Sequence, residues 1–144
     1  MTTCTRRLEF DAAHRVLRHE SKCAHLHGHR YAIEVTCDAD KLDDVGRVVD
    51  FGEIKAKLGA WIDAHLDHGT LVNGEDDDLL GWLIEHDQKR RIFLGPDDRG
   101  IEPTAENIAD LILRIGQQLL ERDGLRVVQV RVWETPNCSA EVWG

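Results

Sequence analysis

The 144-residue chain contains no apolar run approaching the roughly 20 residues that a helix needs to span a bilayer, which argues against a helical membrane protein. Its opening residues, Met1-Thr2-Thr3-Cys4-Thr5-Arg6-Arg7, carry no apolar signal core, so the expected location is the cytoplasm. Basic charge is in deficit: 18 Lys and Arg stand against 27 Asp and Glu, giving a net charge of −9. General nucleic-acid binders and membrane-surface binders need a basic face, and neither class fits. A small anionic substrate remains compatible, because a pocket needs only a few local cations and N–H groups. The four cysteines, Cys4, Cys23, Cys37 and Cys138, form no C-x-x-C pair, and two lie in apparent strands. Independent reduced thiols are the expectation, not a disulfide framework. There is no internal repeat and no low-complexity linker. One domain covering residues 1–144 is expected, long enough to bury a real core.

What the chain does have is alternation, then helical periodicity, then alternation again. Residues 5–14 place Leu8, Phe10, Ala12 and His14 on one parity, and residues 28–38 do the same with Tyr31, Ile33, Val35 and Cys37. The pair predicts a long antiparallel hairpin. Asp43-Asp44-Val45-Gly46 reads as a turn. Asp50 with Glu53 forms a capping-box pattern ahead of a helix carrying Ile54, Leu58, Trp61 and Ile62. Thr104 caps a second long helix, with Glu106 in its first turn, a stripe at Ile108, Leu111, Ile112, Ile115 and Leu119, and Gly124 at its end. A short helix over about 77–87 is compatible with Leu79, Leu80, Leu83 and Ile84. Residues 125–134, with Val128, Val130 and Val132 on one face, and residues 138–143 complete a second hairpin. The expected class is α+β: a four-stranded antiparallel sheet with two long helices on one face. Its open edges predict an oligomer.

The chemistry concentrates in Cys23-Ala24-His25-Leu26-His27-Gly28-His29. In an extended chain His27 and His29 project to one face, and His14 ends the preceding strand beside them. Three imidazoles with an open fourth position suit a catalytic zinc ion. His25 shares their parity, and spacing alone does not remove it; a polar loop of surface histidines is the plainer alternative. Cys23 has three readings on spacing: a fourth ligand, a general base, or an inert packed thiol. Asp67 and His68 read either as a polar helix end or as a carboxylate that orients a proton-moving imidazole. Glu134, ending an apolar strand, is either simply solvated or a buried acceptor for a ligand's paired N–H groups.

Together these residues resemble the family of 6-pyruvoyl- and 6-carboxy-tetrahydropterin synthases. The resemblance covers nearly the whole chain, through Phe10-Asp11-Ala12-Ala13-His14, Cys23-x-x-x-His27-Gly28-His29, Val49-Asp50-Phe51, Leu66-Asp67-His68 with Leu71-Val72-Asn73, Pro103-Thr104-Ala105-Glu106-Asn107, and Glu134-Thr135. The cysteine-to-histidine spacing is nearer the bacterial carboxy branch, which feeds queuosine and other 7-deazapurines. The resemblance implies the tunnelling (T-) fold, whose protomers assemble into barrels, usually as a homohexamer with active sites at subunit interfaces. It assigns zinc to His14, His27 and His29 and leaves His25 outside. It makes Cys23 the base, Asp67 and His68 a proton relay, Glu134 the pterin anchor with a further part in the relay, and Thr104 and Glu106 pocket residues. The implied substrate is 7,8-dihydroneopterin triphosphate, and the implied product is 6-carboxy-5,6,7,8-tetrahydropterin with release of acetaldehyde and triphosphate. The alternatives are 6-pyruvoyl-tetrahydropterin formation, a non-catalytic zinc- or pterin-binding protein, and zinc as a mere staple. Residues 74–102, with Lys89, Arg90, Arg91 and Arg99, are longer than in compact relatives. They form a tolerated surface insertion, a lid or a subunit contact. No basic residues are assignable to the triphosphate.

Overall fold

The computed structural model describes residues 1–95 and 100–144. In chain order the elements are β1 (Thr3–His14), β2 (His27–Ala39), helix α1 (51–65), β3 (Gly69–Leu71), α2 (Asp77–Glu85), β4 (Arg91–Ile92), α3 (Ala105–Leu120), β5 (Leu125–Thr135) and β6 (Cys138–Trp143). The expected hairpin forms with His14 opposite His27 and Ala12 opposite His29. The long loop 15–26 leaves one end of this hairpin, so a strand end and a strand start meet there.

The sheet is larger than the four antiparallel strands predicted. Among the described residues it has six strands in the order β4-β3-β1-β2-β5-β6, with β3 parallel to β1 and β4 parallel to β3. These two additions are three and two residues long, too short to show alternation, and lie in the polar stretch after α1. They are strands because β1 offers a free edge, not because their own residues demand it.

One core joins Leu8, Phe10, Tyr31, Ile33, Val35 and Cys37 of the hairpin to Ile54, Leu58 and Ile62 of α1 and Ile108 and Ile112 of α3. Both long helices therefore cover the same sheet face, as expected. The caps differ in detail. Asp50 accepts from the Gly52 N–H at 2.7 Å, while Glu53 turns away to Lys57 and Arg122, so no reciprocal capping box forms. Helix α1 also contains a π-turn, Lys55–Gly59. Thr104 caps α3 through the Asn107 N–H, but the helix stops at Leu120. Gly124 instead turns the chain into β5 at φ 77°.

A bulge opposite Thr36 and Cys37 leaves Val128 unpaired. The buried positions are consequently Val127, Val130 and Val132, not the strict alternation read from the sequence. A smaller cluster of Val72, Leu79 and Leu83 seats α2 beside the main core. No helix of the described residues is long and apolar enough to cross a membrane.

Candidate metal centre

His14, His27 and His29 converge as the hairpin register dictates, with ligating nitrogens all within 4.8 Å of one another. Their ring centroids are 4.7–5.1 Å apart. Hydrogen bonds behind the rings fix which nitrogen is presented. His14 Nδ1–H donates to the Pro103 carbonyl at 2.7 Å, and His27 Nδ1–H donates to the His25 carbonyl at 2.6 Å. Each Nε2 thus keeps its lone pair for the centre. His14 and His29 Nε2 are buried and have no partner among the described residues. Burial pushes both imidazoles below their ordinary pKa, against the opposing pull of Glu134, so the rings favour the neutral, metal-binding form. Orphaned inward nitrogens and nitrogens tied outward are what a divalent cation such as zinc requires, and the residues fit it.

Glu134 is the extra residue of a second bulge, between Trp133 opposite Ser139 and Thr135 opposite Cys138. Its carboxylate lies 3.5 Å from His29 Nε2 and 3.9 Å from His14 Nε2. It borders three cavities. One, of roughly 530 Å³, also touches Cys23, His27, His29 and Cys138. Another, of roughly 250 Å³, brings together His14, Cys23, Thr104 and Glu106. The third, also roughly 530 Å³, runs over the outer sheet face past Gly28, Arg30 and Trp133. His14, His27, His29, Cys23, Glu134, Thr104 and Glu106 are therefore neighbours in one protomer.

Asp67 and His68 are bonded to each other, at 2.8 Å between Asp67 Oδ2 and His68 Nδ1. His68 adopts φ 59°, which turns its ring back toward its neighbour. The pair is pinned to Asp11, whose N–H donates to Asp67 and whose carbonyl accepts from the His68 N–H. His68 is 76 % exposed, and neither residue lines the three cavities around Glu134. Asp67 and His68 therefore share no cavity with Cys23 and Glu134 in one protomer.

His25 contributes its carbonyl and not its ring. His65 stacks on Trp61. Arg90 donates to the Asp63 and Asp67 carbonyls, and Arg91 to the Gln88 carbonyl, while Lys89 is exposed beside Asp87. Arg99 lies outside the described residues. Sequence reasoning missed three contributors. Pro103 acts through a carbonyl, which has no side-chain signature. Cys138 lines two of the cavities from an exposed strand start. Tyr31 is fully buried between His14, His29 and Phe10, its hydroxyl without a hydrogen-bond partner among the described residues. Its place on the apolar parity disguised it as core.

Comparison with known proteins points to one family. The chain is 41% identical over 143 residues to the 6-carboxy-5,6,7,8-tetrahydropterin synthase of Rickettsia bellii, covering 99% of this chain and 100% of that one. It is 33% identical over 129 residues to the enzyme of the same name from Aquifex aeolicus, covering 84% and 75%. In fold it is similar to an uncharacterised Wolinella succinogenes protein, with TM-score 0.84, 22% identity and 99% and 98% coverage. It is similar also to Caenorhabditis elegans 6-pyruvoyl tetrahydropterin synthase, with TM-score 0.71, 22% identity and 99% and 95% coverage. The family model described as 6-pyruvoyl tetrahydropterin synthase matches residues 3–144, and the chain belongs to that family.

Proposed function

We propose that the protein is a zinc-dependent lyase. It converts 7,8-dihydroneopterin triphosphate and water to 6-carboxy-5,6,7,8-tetrahydropterin, acetaldehyde and triphosphate, on the route to queuosine and other 7-deazapurines. One observation carries the reading: ring nitrogens of three histidines converge beside a carboxylate, in cavities shared with a thiol. Relatives named for this reaction, more than 40% identical, support it.

His14, His27 and His29 would hold the zinc, which when bound acts as a Lewis acid on the substrate's side-chain hydroxyls. Cys23, bordering the same cavities, takes a proton from the side chain as its thiolate. Glu134 pairs with the ring and amino N–H groups of the pterin and fixes its orientation through charge-assisted bonds. Thr104 and Glu106 line the inner wall. His68, with its Nδ1 held by Asp67, returns a proton on the opposite side. Its exposure, and its absence from the lining of the thiol cavities, support a site completed by a second copy of the chain. The free edge at β6, with Trp143 68 % exposed, supports assembly into a homohexamer of barrels.

The test is product analysis from 7,8-dihydroneopterin triphosphate with the zinc-loaded protein. Acetaldehyde and triphosphate should appear in equal amounts. Triphosphate without acetaldehyde would mean that the chain stops at the pyruvoyl product. A Cys23→Ala variant that keeps its zinc and full turnover would remove the thiol from the mechanism.

A further inference from the structure

The loop over residues 15–26 carries Cys23 and has no regular structure beyond the turn Lys22–Ala24, whose start has no side-chain cap. Such a loop moves unless its backbone is tied down. Its ties run far along the chain. One oxygen of Glu102 accepts from the Leu17 N–H at 2.8 Å, and the other accepts from the Arg18 N–H at 3.0 Å. The adjoining residue, Val16, donates its N–H to the Cys23 carbonyl at 2.9 Å. Glu102 is itself fixed at the start of α3, where its carbonyl accepts from the Asn107 side chain at 2.9 Å. The next residue, Pro103, takes the Nδ1–H of His14. Two successive residues therefore hold the two halves of the site: Pro103 a ligand imidazole through its backbone, Glu102 the thiol's loop through its side chain. Ion pairs from Arg15 to Asp76 and from Arg18 to Glu75 add a tether from the other end of the 74–102 segment.

We propose that Glu102 is a positioning residue for Cys23. Its carboxylate sets the thiol's loop against the three-histidine centre. The inference rests on Cys23 being the base. Two charge-assisted bonds to consecutive N–H groups fix both position and direction, which one neutral bond does not. Removing the carboxylate loosens the loop, leaving it only the Arg15 and Arg18 ion pairs, but keeps His14 in place, because that ring is held by the Pro103 carbonyl.

The experiment compares zinc-loaded wild type with Glu102→Ala and Glu102→Gln. Three quantities are read: bound zinc, steady-state kinetics, and the rate at which iodoacetamide modifies Cys23, resolved from the other cysteines by peptide mass mapping. Glu102→Ala should keep its zinc and lose roughly tenfold to a hundredfold in kcat. Its KM should stay within about threefold of wild type. Its Cys23 modification rate should differ from wild type by more than about threefold. Glu102→Gln, whose amide oxygen still accepts, should recover part of both changes. Wild-type kcat and Cys23 reactivity in Glu102→Ala would overturn the proposal. So would equal losses in both variants accompanied by loss of zinc, which is the mark of a merely structural residue. If the alanine variant does not fold, the glutamine variant, of the same size, carries the comparison alone. Full turnover in Cys23→Ala would end the base assignment, yet the modification rate would still test the tether.

Discussion

A neutral imidazole binds a metal only through the nitrogen that keeps its lone pair, so the residue behind each ring matters as much as the ring. At this scale the sequence was legible in part. The parity of His27 and His29 and the strand-end position of His14 placed three rings together, and the structure agrees. The parity of His25 was uninformative, because His25 precedes β2 and acts through its carbonyl, behind the His27 ring, and not through its own imidazole. The Pro103 carbonyl was invisible, being 89 residues from His14 and carrying no side-chain information. His27→Ala should therefore weaken zinc binding by more than the roughly 10–100-fold that loss of an outer hydrogen-bond partner costs. His25→Ala, which keeps the carbonyl, should bind as wild type does. Competition against a chromophoric chelator measures both, and equal affinities in the two variants would contradict the assignment.

Among elements, strand and helix existence followed from periodicity, whereas bulges and short edge strands did not. A bulge is decided by the partner strand's register: Val128 and Glu134 are displaced because β2 and β6 count differently from β5. The same holds for helix α2, whose start depends on a long-range pair. Asp76, only 2 % exposed, caps α2 through the Leu79 N–H and is bonded to Arg15. Burial alone would raise the Asp76 carboxyl, but the Arg15 and Leu79 bonds outweigh it and hold the pKa below its ordinary value. A carboxyl depressed in the folded state stabilises the fold above its unfolded pKa of about 3.9, and that contribution fades as pH falls through the folded value. Asp76→Asn should then cost about 2–4 kcal/mol at pH 7, since it leaves Arg15 unpaired. The gap from wild type should narrow below about pH 4. Urea unfolding at pH 7 and pH 3.5 gives the comparison; a gap that is constant with pH would show that the ion pair contributes nothing.

For the whole molecule, the proposed role of His68 requires it to reach the thiol's cavities from another copy of the chain. The Asp67–His68 pair is well formed yet stands apart from the thiol cavities of its own protomer. If two copies share each site, Cys23→Ala and His68→Ala proteins should each be inactive alone and should recover activity when their subunits are exchanged. Random mixing of equal amounts places both wild-type residues at about one quarter of the sites. Recovery near that fraction supports the shared site. No recovery after demonstrated subunit exchange would confine the chemistry to single protomers.

By itself the sequence determined the β1–β2 hairpin, the two long helices and the gathering of His14, His27 and His29. Each is written in local periodicity, and a strand's parity is carried unchanged to its end. Only the tertiary structure decided the six-stranded mixed sheet, the inward turn of Glu134, and the grip of Glu102 and Pro103 on the loop and its histidine. The sheet and the turn of Glu134 depend on edges and registers that a partner strand sets, and the grip depends on bonds between residues 84–89 apart, where no local pattern reaches.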